Sequence, residues 1–340
     1  MSEVLIDIKV DKHANMLIIG KGATDYSLKQ ISYETDYDEV LQRYGESDIS
    51  KAFQIAYNMG VEYIFVMNLK NSYDYFDVAE VIKQNDFTYI VPVSVYLSDT
   101  FTDSFKDGSK VSYVAYLLSL VSSIHNESVI IATDKHASLY EDMDAFIEGQ
   151  AGAESIFRRS CGGGMNMENI IFIANNSVSN EFANVMLAAA LCTSDIGAYP
   201  SNAFGEAIFD FDHFDDVGNW AYFKSHVEKE TTVENLINFL QRGPEKIVTV
   251  SRILKMIKRE IDLSEFVGHS YSEYQRMRIE RRLELYLGGL INYVIYNYKI
   301  NSVKGYRDPD HRGCVTIINR FDVWPINCLD RCHVEIGVEV

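Results

Sequence analysis

Several groups of residues in this chain carry side chains that could do chemistry, and their spacing decides what each can do. Gly20-Lys21-Gly22 follows an apolar run, where a nucleotide loop would sit. A phosphate-binding loop needs GxxxxGK[ST] or GxGxxG opening directly into a helix. Ala23, Thr24 and Asp25 follow instead, so the simpler reading is a turn that ends a strand. Gly162-Gly163-Gly164 could form an anion-binding nest, or a plain flexible turn. Asp134, His136 and Ser138 have the residue types of a hydrolytic relay. A relay joins distant residues by folding, which alternate positions do not do, and no GxSxG elbow is present. The simpler reading is a helix start capped by Ser138 or Asp134. Asp210, Asp212, His213, Asp215 and Asp216 form the best metal candidate, because hard cations take clustered carboxylates. They lack the glycine and distal glutamate of an EF-hand, and a solvated acidic loop is the alternative. Cys328, Cys332 and His333, with Cys314, are zinc-ligand types without two paired clusters. Cysteine is also a common apolar filler. No catalytic, cofactor-binding or metal-ligating residue is assigned, and the expectation is a non-enzyme with no cofactor.

A different chemistry lies in Arg276, Arg278, Arg281 and Arg282. Residues 274–296 read as a long helix with Ile279, Leu283, Leu287, Leu290, Ile291 and Val294 on one face. Arg278 and Arg282 are neighbours at i, i+4, with Arg281 beside them. Two readings stand: a solvated face paired with Glu280 and Glu284, or a stripe that binds a partner.

The elements that must position these residues follow two rhythms. Apolar runs at 16–19, 61–69, 87–97, 129–132 and 170–174 are short and rich in Ile, Val and Phe. Helical patterns lie between them at 49–59, 76–84, 111–124, 139–147 and 182–191. Such alternation predicts βαβ units and a mostly parallel sheet covered on both faces. Residues 194–233 break the rhythm with Pro200, glycines and the acidic run, and read as loops. A second unit follows: helices at 234–241 and 250–261, the long helix, a turn at 307–313, a strand at 314–318, a connection at 320–325 and a terminal strand. The expected fold class is α/β with a mostly parallel sheet flanked by helices, a smaller α+β C-terminal domain and strand-forming terminal arms. The expected organisation is an N-terminal strand or arm (1–15), an α/β domain (16–233), a C-terminal domain (234–332) and an arm strand (333–340).

Both ends alternate as half-buried strands do. Val4, Ile6, Ile8 and Val10 interleave with polar residues, as do Val334, Ile336, Val338 and Val340. Such ends dock within their own domain or add strands to neighbouring copies.

Charge narrows the partners. The chain of 340 residues holds 31 Lys and Arg against 49 Asp and Glu, a net charge of −18. Residues 1–249 carry 17 basic and 37 acidic side chains, a balance of −20. Residues 250–312 carry 12 basic and 8 acidic, a balance of +4. An acidic bulk opposes nucleic acid and anionic membranes. The basic segment is a candidate face for an acidic protein. The start lacks a secretory leader pattern, and the greasiest stretch, 111–124, is too short to span a bilayer. The odd count of five cysteines in a long chain fits reduced thiols in a cytosolic setting.

The C-terminal third resembles contractile-tail sheath proteins of bacteriophages, R-type bacteriocins and related injection systems. The resemblance lies in an order of features: Val250-Ser251-Arg252-Ile253-Leu254, then Leu285-Tyr286-Leu287-Gly288-Gly289-Leu290, Tyr306-Arg307-Asp308 with a polar loop to Gly313, Cys314-Val315-Thr316-Ile317-Ile318, and Trp324-Pro325-Ile326-Asn327 before the terminal strand. The middle is similar in Gly45-Glu46-Ser47-Asp48, Lys51-Ala52-Phe53, Ala56-Tyr57 and the strand at 61–68, and again at 187–192.

The resemblance implies stacked hexameric rings around an inner tube, with terminal arms adding strands to neighbours and contraction that keeps those links. It implies a C-terminal domain facing the tube, which makes Arg276, Arg278, Arg281 and Arg282 the candidate tube-facing residues. The implied partners are further copies, the tail tube protein, and baseplate and tail-terminator proteins. The implied place is a virion tail assembled in the bacterial host cytoplasm. One departure is that the first strand begins almost at Met1, so it is either the arm or the edge of the core sheet. The rival readings are a nucleotide- or metal-dependent α/β enzyme and a non-contracting adaptor ring of the same fold.

Overall fold

The apolar runs of the first half pair as one sheet whose strands have hydrophobic side chains on both faces. The computed structural model describes residues 14–69, 82, 85, 87–103, 109–123, 128–141, 143–161, 169–173, 175, 182–194, 248–261, 263–266, 272–307, 315–325 and 332–339. The chain divides into two compact units; described residues 14–194 fall in one and 248–339 in the other.

In the first unit, β1 (Met16–Gly20), β3 (Ile64–Asn68), β4 (Tyr89–Pro92), β7 (Val129–Thr133) and β8 (Ile170–Ile173) run parallel. A short β2 (Ile31–Glu34) adds antiparallel to β3, and the order across the sheet is β2-β3-β1-β4-β7-β8. The path turns back on itself between β1 and β4, the switch point where ligands of such sheets usually sit. Leu17 and Ile19 join a core with Leu117, Leu118 and Phe157 from α3 (Tyr113–Ser123) and α4 (Met143–Cys161). By strand alternation Met16 and Ile18 face the other way. There α2 (Asp48–Asn58) and α5 (Ala183–Thr193) pack on β1 and on each other.

Helix α5 is buried all along residues 183–192. Its small residues let it lie close to the sheet. Asn184, fully buried, donates its amide to the carbonyls of Pro92 at 2.8 Å, at the end of β4, and Ile131 at 3.4 Å, in the middle of β7.

Three elements here go beyond the sequence reading. β2 and α1 (Tyr37–Tyr44) occupy a stretch with no strong periodicity. The signal for α1 is Asp36, whose carboxylate accepts the Glu39 N–H at 3.0 Å, and Gly45, which ends the helix at φ +68°. The run at 111–124 is not all helix. Its first residues belong to β6 (Ser109–Ser112), which pairs with β5 (Thr100–Asp103) as a hairpin before α3 begins at Tyr113. The expected helices at 76–84 and 234–241 and the loops of 195–233 lie wholly or mostly outside the described residues.

The second unit packs α6 (Val248–Glu260), a 3-10 turn (Ser264–Phe266) and α7 (Glu273–Leu290) with β9 (Ile295–Arg307), β10 (Val315–Pro325) and β11 (Cys332–Glu339). The sheet is antiparallel, in the order β11-β10-β9. Ile253 and Ile257 of α6, Ile279, Leu283 and Leu287 of α7, and Phe321 and Val323 of β10 share one core. Tyr286 also donates its hydroxyl to Glu260 at 3.0 Å, tying α7 to α6.

The long helix ends earlier than its apolar period suggests. Gly288 and Gly289 weaken it, and Asn292 turns left-handed at φ +68°, a conformation asparagine tolerates. The chain then enters β9, whose Val, Ile and Tyr residues favour a strand. Residues 320–325, expected as a connection, continue β10. The register shift between Arg320 and Phe321 falls on β9, which passes Asn301, so β10 keeps its alternation and Phe321 and Val323 enter the core from one face.

Leu283 and Leu285 sit two residues apart on α7, the first fully buried and the second 64% exposed. Leu283→Ala is expected to destabilise the chain by about 2–5 kcal/mol. Leu285→Ala is expected to change it by no more than about 0.5 kcal/mol. Urea unfolding of the two variants checks both.

Candidate assembly surfaces

The crevice at the switch point is closed by the chain itself. Gly20 comes so near β4 that a Cβ there would lie 2.4 Å from a methyl of Val93. The backbone N–H of Gly22, which a phosphate would need, donates to Asn68 Oδ1 at 2.8 Å. The N–H of Ala23 donates to the Tyr44 carbonyl at 2.7 Å. The Asn68 amide donates in turn to the carbonyls of Thr24 at 3.0 Å and Tyr26 at 2.9 Å. Asn68 is buried, and it pins the whole loop. At the start of α2, Ser47 caps the helix, and Asp48 accepts the Ser94 hydroxyl at 2.5 Å. A carboxylate stands where an anionic ligand would meet the helix dipole. Ser94 holds φ +63° to make that contact. Asn68 and Asp48 were not singled out by sequence reasoning, because neither belongs to a recognisable motif.

The possible relay does not assemble. Asp134 is buried and accepts from the Ser98 hydroxyl at 2.8 Å and the Ser98 N–H at 3.4 Å. His136 Nδ1 instead lies 2.8 Å from Ser138 Oγ and accepts the Ser138 N–H at 3.1 Å. The turn at Ala137–Leu139 is 3-10, and His136 takes the capping role expected of Asp134 or Ser138. Cys161 is a buried thiol whose pKa burial pushes up to about 12, which leaves it unreactive. Gly162-Gly163-Gly164, the acidic run from 210 to 216, Cys314 and Cys328 lie outside the described residues, and Cys332 and His333 are described in backbone only. Among the described residues no cluster of three or more His, Cys, Asp or Glu could hold a metal, and no helix is long and apolar enough to cross a membrane.

What the second unit presents is a surface and a strand. Of the four arginines, Arg276 binds Glu273 at 2.5 Å and reaches Glu280 at 3.6 Å. That bond holds the Glu273 carboxyl below its ordinary pKa. Arg278 reaches back to Glu265 at 3.3 Å and lies over the Phe266 ring. Arg281 and Arg282 are exposed and have no ion-pair partner among the described residues. The strand is β11. Val334, Ile336 and Val338 stand opposite Phe321, Asn319 and Ile317 of β10 in the same chain. Val340, and the set Val4, Ile6, Ile8 and Val10, lie outside the described residues.

This architecture recurs in solved structures. A sheath tail protein of Desulfitobacterium hafniense superposes with a TM-score of 0.56 at 10% identity, covering 96% of this chain and 97% of its own. The chain has the fold of sheath tail proteins. A sheath tail protein of Listeria innocua superposes with a TM-score of 0.61 at 10% identity, covering 96% of this chain and 95% of its own. No family model and no curated protein matches the sequence. The sheath fold thus extends over nearly the whole chain, both units included, at only 10% identity to either protein.

Two outcomes test this account of the first unit. Asn68→Ala removes three side-chain hydrogen bonds and is expected to destabilise the chain by about 1–3 kcal/mol in urea. ATP with Mg²⁺ is expected to leave the Tm of the wild-type chain unchanged.

A third outcome concerns pH. Burial raises the pKa of Asp134, against the opposing hydrogen bonds from Ser98. The folded state therefore holds that proton more tightly than the unfolded chain. This contribution is complete below the ordinary aspartate value of about 3.9. It is lost as pH rises through the raised value. Asp134→Asn keeps an acceptor for Ser98 and removes the titration. Its stability should fall less than that of the wild type between about pH 4 and pH 7.

Proposed function

We propose that this chain is a structural subunit of a contractile tail sheath. Copies would polymerise as stacked hexameric rings around an inner tube and contract to drive the tube through a target envelope. The observation that carries this reading is the sheath fold along 96% of the chain. The work would need no bound fuel: the extended polymer would be metastable, and contraction would be a shift between two packings of the same subunits.

The terminal strands supply the linkage. β11 follows β10 after residues 326–331 and bonds to it along eight residue pairs. The same strand laid on β10 of a neighbour would make the same backbone bonds. Exchange of this kind joins copies at little enthalpic cost. The strand at 4–10 is proposed as the second arm. In this organisation residues 1–15 and 333–340 link copies, 16–233 form the α/β domain, and 234–332 face the tube.

Arg281 and Arg282, without an ion-pair partner among the described residues, are the arginines best placed to meet that tube; Arg276 and Arg278 already have carboxylate partners. Baseplate and tail-terminator proteins would bound the polymer in a virion tail assembled in the host cytoplasm. The acidic bulk of the chain argues against nucleic-acid and membrane contacts.

Negative-stain electron microscopy of the chain expressed alone tests the reading. Long striated tubes with six-fold rings are expected. Small defined oligomers, stabilised by nucleotide or metal, would replace it with the enzyme reading. Single rings that never stack would replace it with a non-contracting adaptor. Deleting residues 334–340 is expected to give a folded monomer unable to polymerise. Tubes of normal length from that truncation would remove the linkage claim.

A further inference from the structure

The two sets of alternate positions on β11 differ in what they can specify. Val334, Ile336 and Val338 are all β-branched, so a slip of two residues leaves that set as apolar as before. These positions alone do not hold the register. The other set, His333, Glu335, Gly337 and Glu339, changes in charge from one position to the next.

The positions facing that second set differ as well. Glu335 stands opposite Arg320, His333 opposite Asp322, Gly337 opposite Ile318 and Glu339 opposite Thr316. From the other side of β10, Lys299 of β9 also stands opposite Asp322. Residues directly opposite on antiparallel strands interact as pairs; unlike charges favour the pairing and like charges oppose it. Asp322 is only 3% exposed, although alternation puts it on the face of β10 turned away from Phe321 and Val323. A buried carboxylate accepts a cationic or neutral neighbour and strongly opposes a second carboxylate.

Both slips that keep the apolar set in place are therefore penalised. One brings Glu335 opposite Asp322, two carboxylates at a buried position. The other brings Glu335 opposite Ile318 and His333 opposite Arg320, so that β11 offers the arginine no carboxylate. Between them, the observed register sets Glu335 on Arg320 and keeps carboxylates away from Asp322.

We infer that Arg320 and Asp322 select the strand that pairs with β10, and that they select it by charge. The strand they admit has apolar residues at alternate positions, a carboxylate opposite Arg320 and a neutral or basic residue opposite Asp322. The segment 332–339 of a second copy meets that requirement, as the chain's own segment does here. The charge code belongs to the ladder itself; only the supply of the strand by a second copy rests on the sheath reading. In a polymer, a two-residue slip would lengthen or shorten a link by about 7 Å. The charges exclude it.

Charge reversal in the full chain tests this. Arg320→Glu and Glu335→Arg are each expected to lower Tm and to raise the concentration needed for tubes about threefold or more. The double variant should recover both. His333→Glu should behave like a single reversal. Glu339→Lys, on the same strand but opposite Thr316, should behave like the wild type. An equimolar mixture of the two single variants then reports where the strand comes from. Each acceptor in it matches only the other variant's strand, so exchange between copies restores tubes and pairing within one chain does not. Single reversals with wild-type Tm and tubes, or a double variant no better than they are, would overturn the charge code. A mixture that stays defective beside a restored double variant would overturn the supply of the strand by a second copy. A wild-type chain that forms no tubes, with Tm falling in the single variants and recovering in the double, would overturn the sheath reading and leave the code standing.

Discussion

A strand needs a partner along each side, and the sheet of the second unit is organised around that need. β10 sits between β9 and β11 and bonds to both. β11 completes the sheet along one side of β10. Its pairing holds the terminal strand in place, while α6 and α7 cover the core side through Phe321 and Val323. Backbone bonds are indifferent to which copy supplies the strand. Under the proposed function, the pairing that completes the fold would also join copies, at the further entropic cost of association.

The first unit shows the opposite economy. A doubly wound sheet leaves a crevice at its switch point, and elsewhere that crevice receives ligands. Here Asn68, Asp48 and Val93 occupy it. The N–H groups that would cradle a phosphate are spent on Asn68 and on the Tyr44 carbonyl. Glu34 contributes in the same way at the sheet edge, where it is buried and binds Arg43 at 2.6 Å and the Tyr44 hydroxyl at 2.8 Å. Side chains that could serve chemistry instead fasten loops and edges.

Much of this architecture could be read from local patterns. The strands at 16–20, 64–68, 129–133 and 170–173 and the helices α2 and α5 follow from short apolar runs alternating with helical stretches. Burial of both strand faces is what near-continuous apolarity means. The miss at Asn292 arose because Ile291 and Val294 happen to continue a helical period, while one left-handed residue ends the helix. The miss at 320–325 arose because Arg320, Asp322 and Pro325 interrupt the apolar run, while pairing with β9 and β11 holds the segment in a strand. β2 was illegible because a four-residue edge strand has too few residues to show a period. Among the arginines, spacing marked the cluster and the local partners of Arg276, but the pairing of Arg278 depends on Glu265, thirteen residues away.

By itself, the sequence determined the fold class, the strand character of the C-terminal end and the split of charge, because these depend on periods and composition within short windows. The tertiary structure decided that Gly20-Lys21-Gly22 is a clamped turn, that Asp134 turns from His136 to Ser98, and that the last strand pairs with β10. It also decided which side of α7 remains outside with Tyr274, Met277 and Leu285. Each of those outcomes depends on contacts between residues far apart in the chain, and only packing brings such residues within the few ångströms over which hydrogen bonds, ion pairs and burial act.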